Sequence, residues 1–182
     1  MTVRKIENPR EFFKHVVDVD VEEFKENPTD LRAAYHASIS LVSLRDWVVK
    51  SHRDKVWTFA GVKRGRFGTK EELQCQLKST ELGAKEQFVI VTDIANAAKH
   101  MFLCQNKGKK RLQKIADVNV PGLGEPSGRF SGVASGAPAG ALPAGSGFAR
   151  LLVKIDGELH DVKECVMAVH AVWQRLFIEN SW

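Results

Sequence analysis

Leu31-Arg-Ala-Ala-Tyr-His-Ala-Ser-Ile-Ser-Leu-Val-Ser-Leu-Arg-Asp-Trp-Val-Val-Lys-Ser51 holds neither glycine nor proline across 21 positions. Tyr35, Ile39, Val42, Trp47 and Val49 recur among alanines and serines, a helical period that predicts about five turns of α-helix. Such a rod is long enough to cross a small domain. On its N-terminal side Asn27-Pro28-Thr29-Asp30 breaks the chain and offers a cap. Further back, Asn8-Pro9 reads as a capping residue followed by proline at the first helical position. Phe13, Val16, Val17, Val21 and Phe24 follow at helical spacing, although the alternation Val16-Val-Asp-Val-Asp-Val21 also permits a strand.

On the C-terminal side, Val56–Phe67 carries Gly61 and Gly65, with Gly68 just beyond, and reads as a loop. Thr69-Lys-Glu-Glu72 is a capping box that opens a short helix through Leu73 and Leu77, ending near Gly83. Residues 84–105 form the next predicted helix, with Phe88, Val91, Ile94, Ala98, Met101 and Phe102 on its apolar side and Gly108 just past its end. The period then shortens: residues 115–120 and 148–155 read as two strands. Between them, residues 121–147 hold eight of the chain's fourteen glycines and four of its six prolines, so little apolar surface is on offer to offset ordering entropy. This segment reads as a flexible Gly/Pro/Ala-rich loop. Asp156-Gly157 is a turn, and Asp161 caps a last helix with the stripe Val162, Cys165, Val166, Val169, Val172, Trp173, Leu176 and Phe177. The expected architecture is mainly α: a four- to five-helix bundle in one domain spanning 1–182, with a two-stranded antiparallel β-ribbon inserted before the C-terminal helix.

Composition narrows the function classes. At 43% hydrophobic and 27% charged residues the chain can build a core. Uninterrupted apolar runs are only a few residues long, as at Phe88-Val89-Ile90-Val91, so no membrane span is expected. The first ten residues hold no apolar core of a secretory signal. Cys75, Cys104 and Cys165 are odd in number and widely spaced, which fits a reducing, cytoplasmic setting better than a disulfide framework.

The net charge of +5 is unevenly placed. Residues 1–30 carry five basic and eight acidic groups, whereas residues 45–80 carry nine basic and four acidic. Residues 99–114 hold six basic groups and no acid. Lys107, Lys109, Lys110, Arg111 and Lys114 are therefore the candidate nucleic-acid-binding residues, since clustered cations recruit polyanions.

The candidate chemistry lies on the 84–105 helix. Asp93, Asn96 and His100 stand at i, i+3 and i+7 on one face, with Lys99 beside them. His36, Ser40 and Ser43 form a second polar line on the 31–51 helix. Two histidine-centred stripes on neighbouring rods could meet across a shared cleft, and an imidazole beside a carboxylate is a suitable proton carrier near neutral pH. The candidate catalytic set is His100, Asn96, Asp93, His36 and Lys99. No metal site or cofactor is expected, because the paired Glu-x-x-His motifs of di-iron bundles are missing.

Ala95-Asn96-Ala97-Ala98-Lys99-His100 resembles the Arg-Asn-x-x-x-His motif of the HEPN superfamily of helical-bundle proteins, many of which are metal-independent ribonucleases acting as dimers. The resemblance implies that Asn96 and His100 occupy the motif's polar and histidine positions. Ala95 stands where the motif has its arginine, and no arginine occurs between Arg66 and Arg111. Without that cation, Lys99 or the 107–114 stretch would have to stabilise phosphate charge. The Ala34–Leu41 and Asn96–His100 segments together are also similar to small uncharacterised bacterial proteins. Two functions follow as expectations. The first is a non-enzymatic binding module for RNA, a nucleotide or a partner protein, its own second copy included. The alternative is a metal-independent ribonuclease or other phosphodiesterase using His100 as acid/base.

Overall fold

The structure, a computed structural model, describes residues 5–78, 83–100, 112–119, 150–155 and 158–182. It is the expected mainly helical bundle with a small β-element before the last helix. The first rod comprises α1 (Pro9–Phe12), a π-helical turn (Phe13–Val17) and α2 (Asp18–Glu26). Asn8 caps it, its side chain accepting from the Glu11 amide at 2.9 Å. The strand alternative for Val16–Val21 fails because the helix lines up Phe13, Val17, Val21 and Phe24 as one buried stripe, while Val19 faces water.

Asp30 caps α3 (Leu31–His52) by accepting from the Arg32 and Ala33 amides. This helix is the central rod, touching α2 and three later helices, α4 (Lys70–Leu77), α5 (Lys85–His100) and α6 (Val162–Asn180). Its buried face is mostly small: Ala33, Ala34, Ala37, Ser38 and Ser40 precede Leu41, Leu44 and Val48. Small side chains let neighbouring backbones approach closely, so Tyr35, Ile39, Val42, Trp47 and Val49 sit at the edges of the contact, half-buried.

The Val56–Phe67 loop contains a hairpin that the sequence did not announce. β1 (Thr58–Phe59) pairs antiparallel with β2 (Val62–Lys63) across Ala60-Gly61, both at positive φ (55° and 75°). Asn180 of α6 pins the hairpin, donating to the Thr58 carbonyl at 2.7 Å and accepting from its amide at 2.6 Å. The Thr69–Glu72 capping box starts α4 as expected, and α4 ends at Leu77 rather than near Gly83. α5 is described to His100, and the predicted continuation to residue 105 lies outside the described residues.

The ribbon is a three-stranded sheet in the order β3 (Leu112–Asn119), β4 (Arg150–Ile155), β5 (Glu158–Asp161). β3 and β4 are the two expected strands. β5 is additional, taking the place of the connection expected between the 156–157 turn and Asp161. Two register shifts in the β3–β4 ladder set Leu112, Ile115 and Val118 opposite Ile155, Val153 and Leu151, the three buried positions of β4. The 121–147 segment lies outside the described residues. Asp161 both ends β5 and caps α6, accepting from the Lys163 and Glu164 amides.

All eight residues of the α6 stripe are buried, and His170 joins them. Its Nε2 lies 2.7 Å from Asp18 Oδ1 and its ring stacks on Phe13, making it a satisfied core histidine. Among the described residues no helix is long and apolar enough to cross a membrane.

Candidate functional site

α3 and α5, which carry the two polar stripes, pack directly against each other. The contact face of α5 is apolar, with Val91, Ile94 and Ala95 almost fully buried. Asp93 is half-buried and Asn96 is exposed beside that face. The side chains of Lys99 and His100 lie outside the described residues, as do Lys107, Lys109, Lys110 and Arg111. Lys114 falls in β3 as the register partner of Lys154.

His36 is exposed on α3 and lies beside two carboxylates of α2. Asp20 and Glu23, at i and i+3 on α2, place carboxylate oxygens within 4.8 Å of one another and of the imidazole. One turn along α3, the buried Ser40 hydroxyl lies within reach of both the Ala37 carbonyl, at 3.1 Å, and the Asp20 carboxylate. Glu23 also accepts from Arg32 Nη2 at 3.2 Å. Partial burial holds the Asp20 carboxyl above its ordinary value of 3.8. The Ser40 hydrogen bond and the His36 charge oppose that rise, and Glu23 adds to it. His36 therefore lies beside two carboxylates of α2.

The sign of the Asp20 shift sets a stability prediction. Because the folded value lies above the unfolded one, the group's favourable contribution is present below about pH 4 and is lost as pH rises through the folded value. Asp20→Asn is therefore expected to raise the urea midpoint modestly at pH 7 and to leave it unchanged near pH 3. A variant less stable than the parent at pH 7 alone would contradict this account.

A second constellation lies between α5 and the sheet and has no counterpart in the sequence reading. Glu158 and His160 occupy alternate positions of β5, opposite Ile155 and Val153 of β4. Cross-strand partners share a face, so both point to the side on which Ile155 and Val153 are buried. Above them stands the first turn of α5, whose Glu86 Oε1 lies 3.9 Å from His160 Nδ1. The open cleft there has a volume of about 310 Å³, with Val89, Ile90 and Ile155 as its apolar part and Lys85 also at its wall. Cys165 lies nearby, but burial first, then Asp161, Glu86 and Glu164, push its thiol up to about 12. It stays protonated and inert at neutral pH.

No family model, curated protein or solved structure matches the chain.

Proposed function

We propose that this protein is a non-enzymatic helical-bundle binding module that engages single-stranded RNA through the basic stretch 107–114 and the β3–β4 ladder it runs into. The observation that carries the reading is the register of that ladder. Lys114 stands directly opposite Lys154, and Arg150 lies on the same face of β4, four residues before Lys154. Like charges at directly opposed positions repel and cost stability unless an anion lies over them. Lys154 and Arg150 are exposed, and among the described residues Arg150 pairs with Asp161 at 3.5 Å. Phosphate groups spaced along a strand of RNA answer that arrangement.

Ala95 supports the non-enzymatic half of the proposal. It occupies the arginine position of the HEPN-like motif and is 0% exposed in the helix interface. An arginine there would have to leave the packed face before it could meet a phosphate. The test is a fluorescence-anisotropy titration of a labelled single-stranded RNA. Lys154→Glu is expected to weaken binding about tenfold, because a cation is replaced by an anion on an exposed strand position that makes no core contact. Unchanged affinity in this variant, or no binding by the parent, would remove the RNA assignment. Cleavage of the RNA in EDTA that disappears in His100→Ala would move it to the phosphodiesterase reading.

A further inference from the structure

We propose that Glu86, Glu158 and His160 form a binding site for one divalent cation of the Mn²⁺, Fe²⁺ or Zn²⁺ class, independent of the RNA reading. The three donor groups converge from two elements that the sequence holds about seventy residues apart, and their ligand atoms all lie within 4.8 Å of one another. A first-row ion with ligand bonds of about 2.1 Å needs donor atoms about 3.4 Å apart in tetrahedral geometry. The remaining movement is an ångström or so. Glu86, whose side chain is 62% exposed, and Glu158, also exposed, have the rotamer freedom to supply it around His160, which is only 17% exposed.

Charge balance separates this cluster from the one around His36. There, Glu23 is held by Arg32 and Asp20 shares the Ser40 hydroxyl. Among the described residues, neither Glu86 nor Glu158 is ion-paired to a lysine or arginine, and Lys85 lines the cleft without pairing to them. Two carboxylates facing one imidazole across the mouth of an open cleft leave negative charge that a bound cation neutralises. One nitrogen and two oxygen donors suit the borderline divalent ions, and three protein ligands leave coordination positions open toward the 310 Å³ cleft. Val89, Ile90 and Ile155 form an apolar wall behind the donors, on the side away from solvent.

The experiment is a Mn²⁺ titration of the full chain, following the loss of the free-ion electron paramagnetic resonance signal. Mn²⁺ is chosen because the exposed Cys75 thiol would capture Zn²⁺ in its own right. One ion per chain is expected. His160→Ala and Glu158→Gln are each expected to weaken binding at least about tenfold, and His36→Ala to leave it unchanged. Glu158 is exposed on an edge strand, so Glu158→Gln keeps the fold even where His160→Ala disturbs β5, and circular dichroism checks both. Absence of binding, full affinity in Glu158→Gln, or a loss that follows His36→Ala instead would each overturn the site.

Discussion

Trp182→Ala is expected to lower the stability of the fold by about 3–5 kcal/mol, the range for emptying a large aromatic site in a core. The residue is 5% exposed although it lies beyond the end of α6. Ser181, in the left-handed region at φ 53°, turns the chain so that the indole folds back onto the bundle. There it meets the edges of Phe67 and Phe177 at 6.0 and 6.3 Å, Trp57 at 6.2 Å, and the face of His52 at 5.8 Å. Its main-chain carbonyl accepts from Arg10 Nε at 2.6 Å, and the same guanidinium reaches the Phe177 carbonyl at 3.0 Å. The indole thus ties α3, the hairpin region and α6 together, while the main chain of the same residue holds α1. For a chain of this length, such a loss shifts the thermal midpoint by roughly 6–20 °C. Trp182→Phe, which keeps an aromatic ring at the centre of the cluster, is expected to recover most of it.

His52 adds a pH signature to the same experiment. Burial first, then Lys55, hold its imidazole below the ordinary value of 6.5. A depressed histidine contributes stability that is fully present above the unfolded value and is lost as pH falls through the folded one. The parent should therefore lose urea resistance as pH falls below about 6.5. Trp182→Ala, by opening the ring to water, should flatten that slope. A variant within about 1 kcal/mol of the parent at pH 7, with the slope intact, would show that the aromatic cluster contributes little.

Features that act between near neighbours in the chain are legible in the sequence. Asn8, Asp30, Thr69 with Glu72, and Asp161 each cap the helix they precede, because a cap is decided by a side chain and an amide two or three residues away. The α6 stripe was legible for the same reason: its period survives burial intact. The β1–β2 hairpin was not legible, because Ala60 at positive φ gives no Asn-Gly or Asp-Gly signal, and Asn180 holds the hairpin from the far end of the sequence. β5 was hidden because Glu158-Leu-His-Asp161 has little strand character of its own and is held by pairing with β4.

The same division runs through the candidate sites. Asp20 and Glu23 are an i, i+3 pair on one helix face, a pattern open to inspection, but which helix that face addresses is a matter of packing. The sequence leaves open which helix His36 addresses, and the described geometry sets two α2 carboxylates beside it. Glu158 and His160 form an i, i+2 pair that would have been visible had residues 158–161 been read as a strand. No local signal points from there to Glu86, because the sheet and α5 meet only in the folded chain.

Added salt is expected to weaken RNA binding by roughly 300-fold between 50 and 200 mM, provided that Lys107, Lys109, Lys110, Arg111, Lys114 and Lys154 all meet phosphates. Each phosphate neutralised on a single strand contributes about −0.7 to the slope of log affinity against log salt. Six contacts therefore give a slope of about −4, and a fourfold rise in salt gives the stated loss. The magnitude distinguishes the proposed mode from its competitors. A site that recognised one nucleotide phosphate would show a slope of about −0.7 and lose only two- to threefold over the same range. A partner protein held through apolar contacts would show almost none, or bind more tightly as salt rises. Reversing two charges in the run, Lys109→Glu with Lys110→Glu, should remove two contacts and bring the slope to about −3, while the unfolding midpoint of the bundle stays in place. If instead the slope is shallow in the parent and indifferent to these substitutions, the 107–114 stretch is a solvated basic segment, and the opposition of Lys114 to Lys154 has no ligand to explain it.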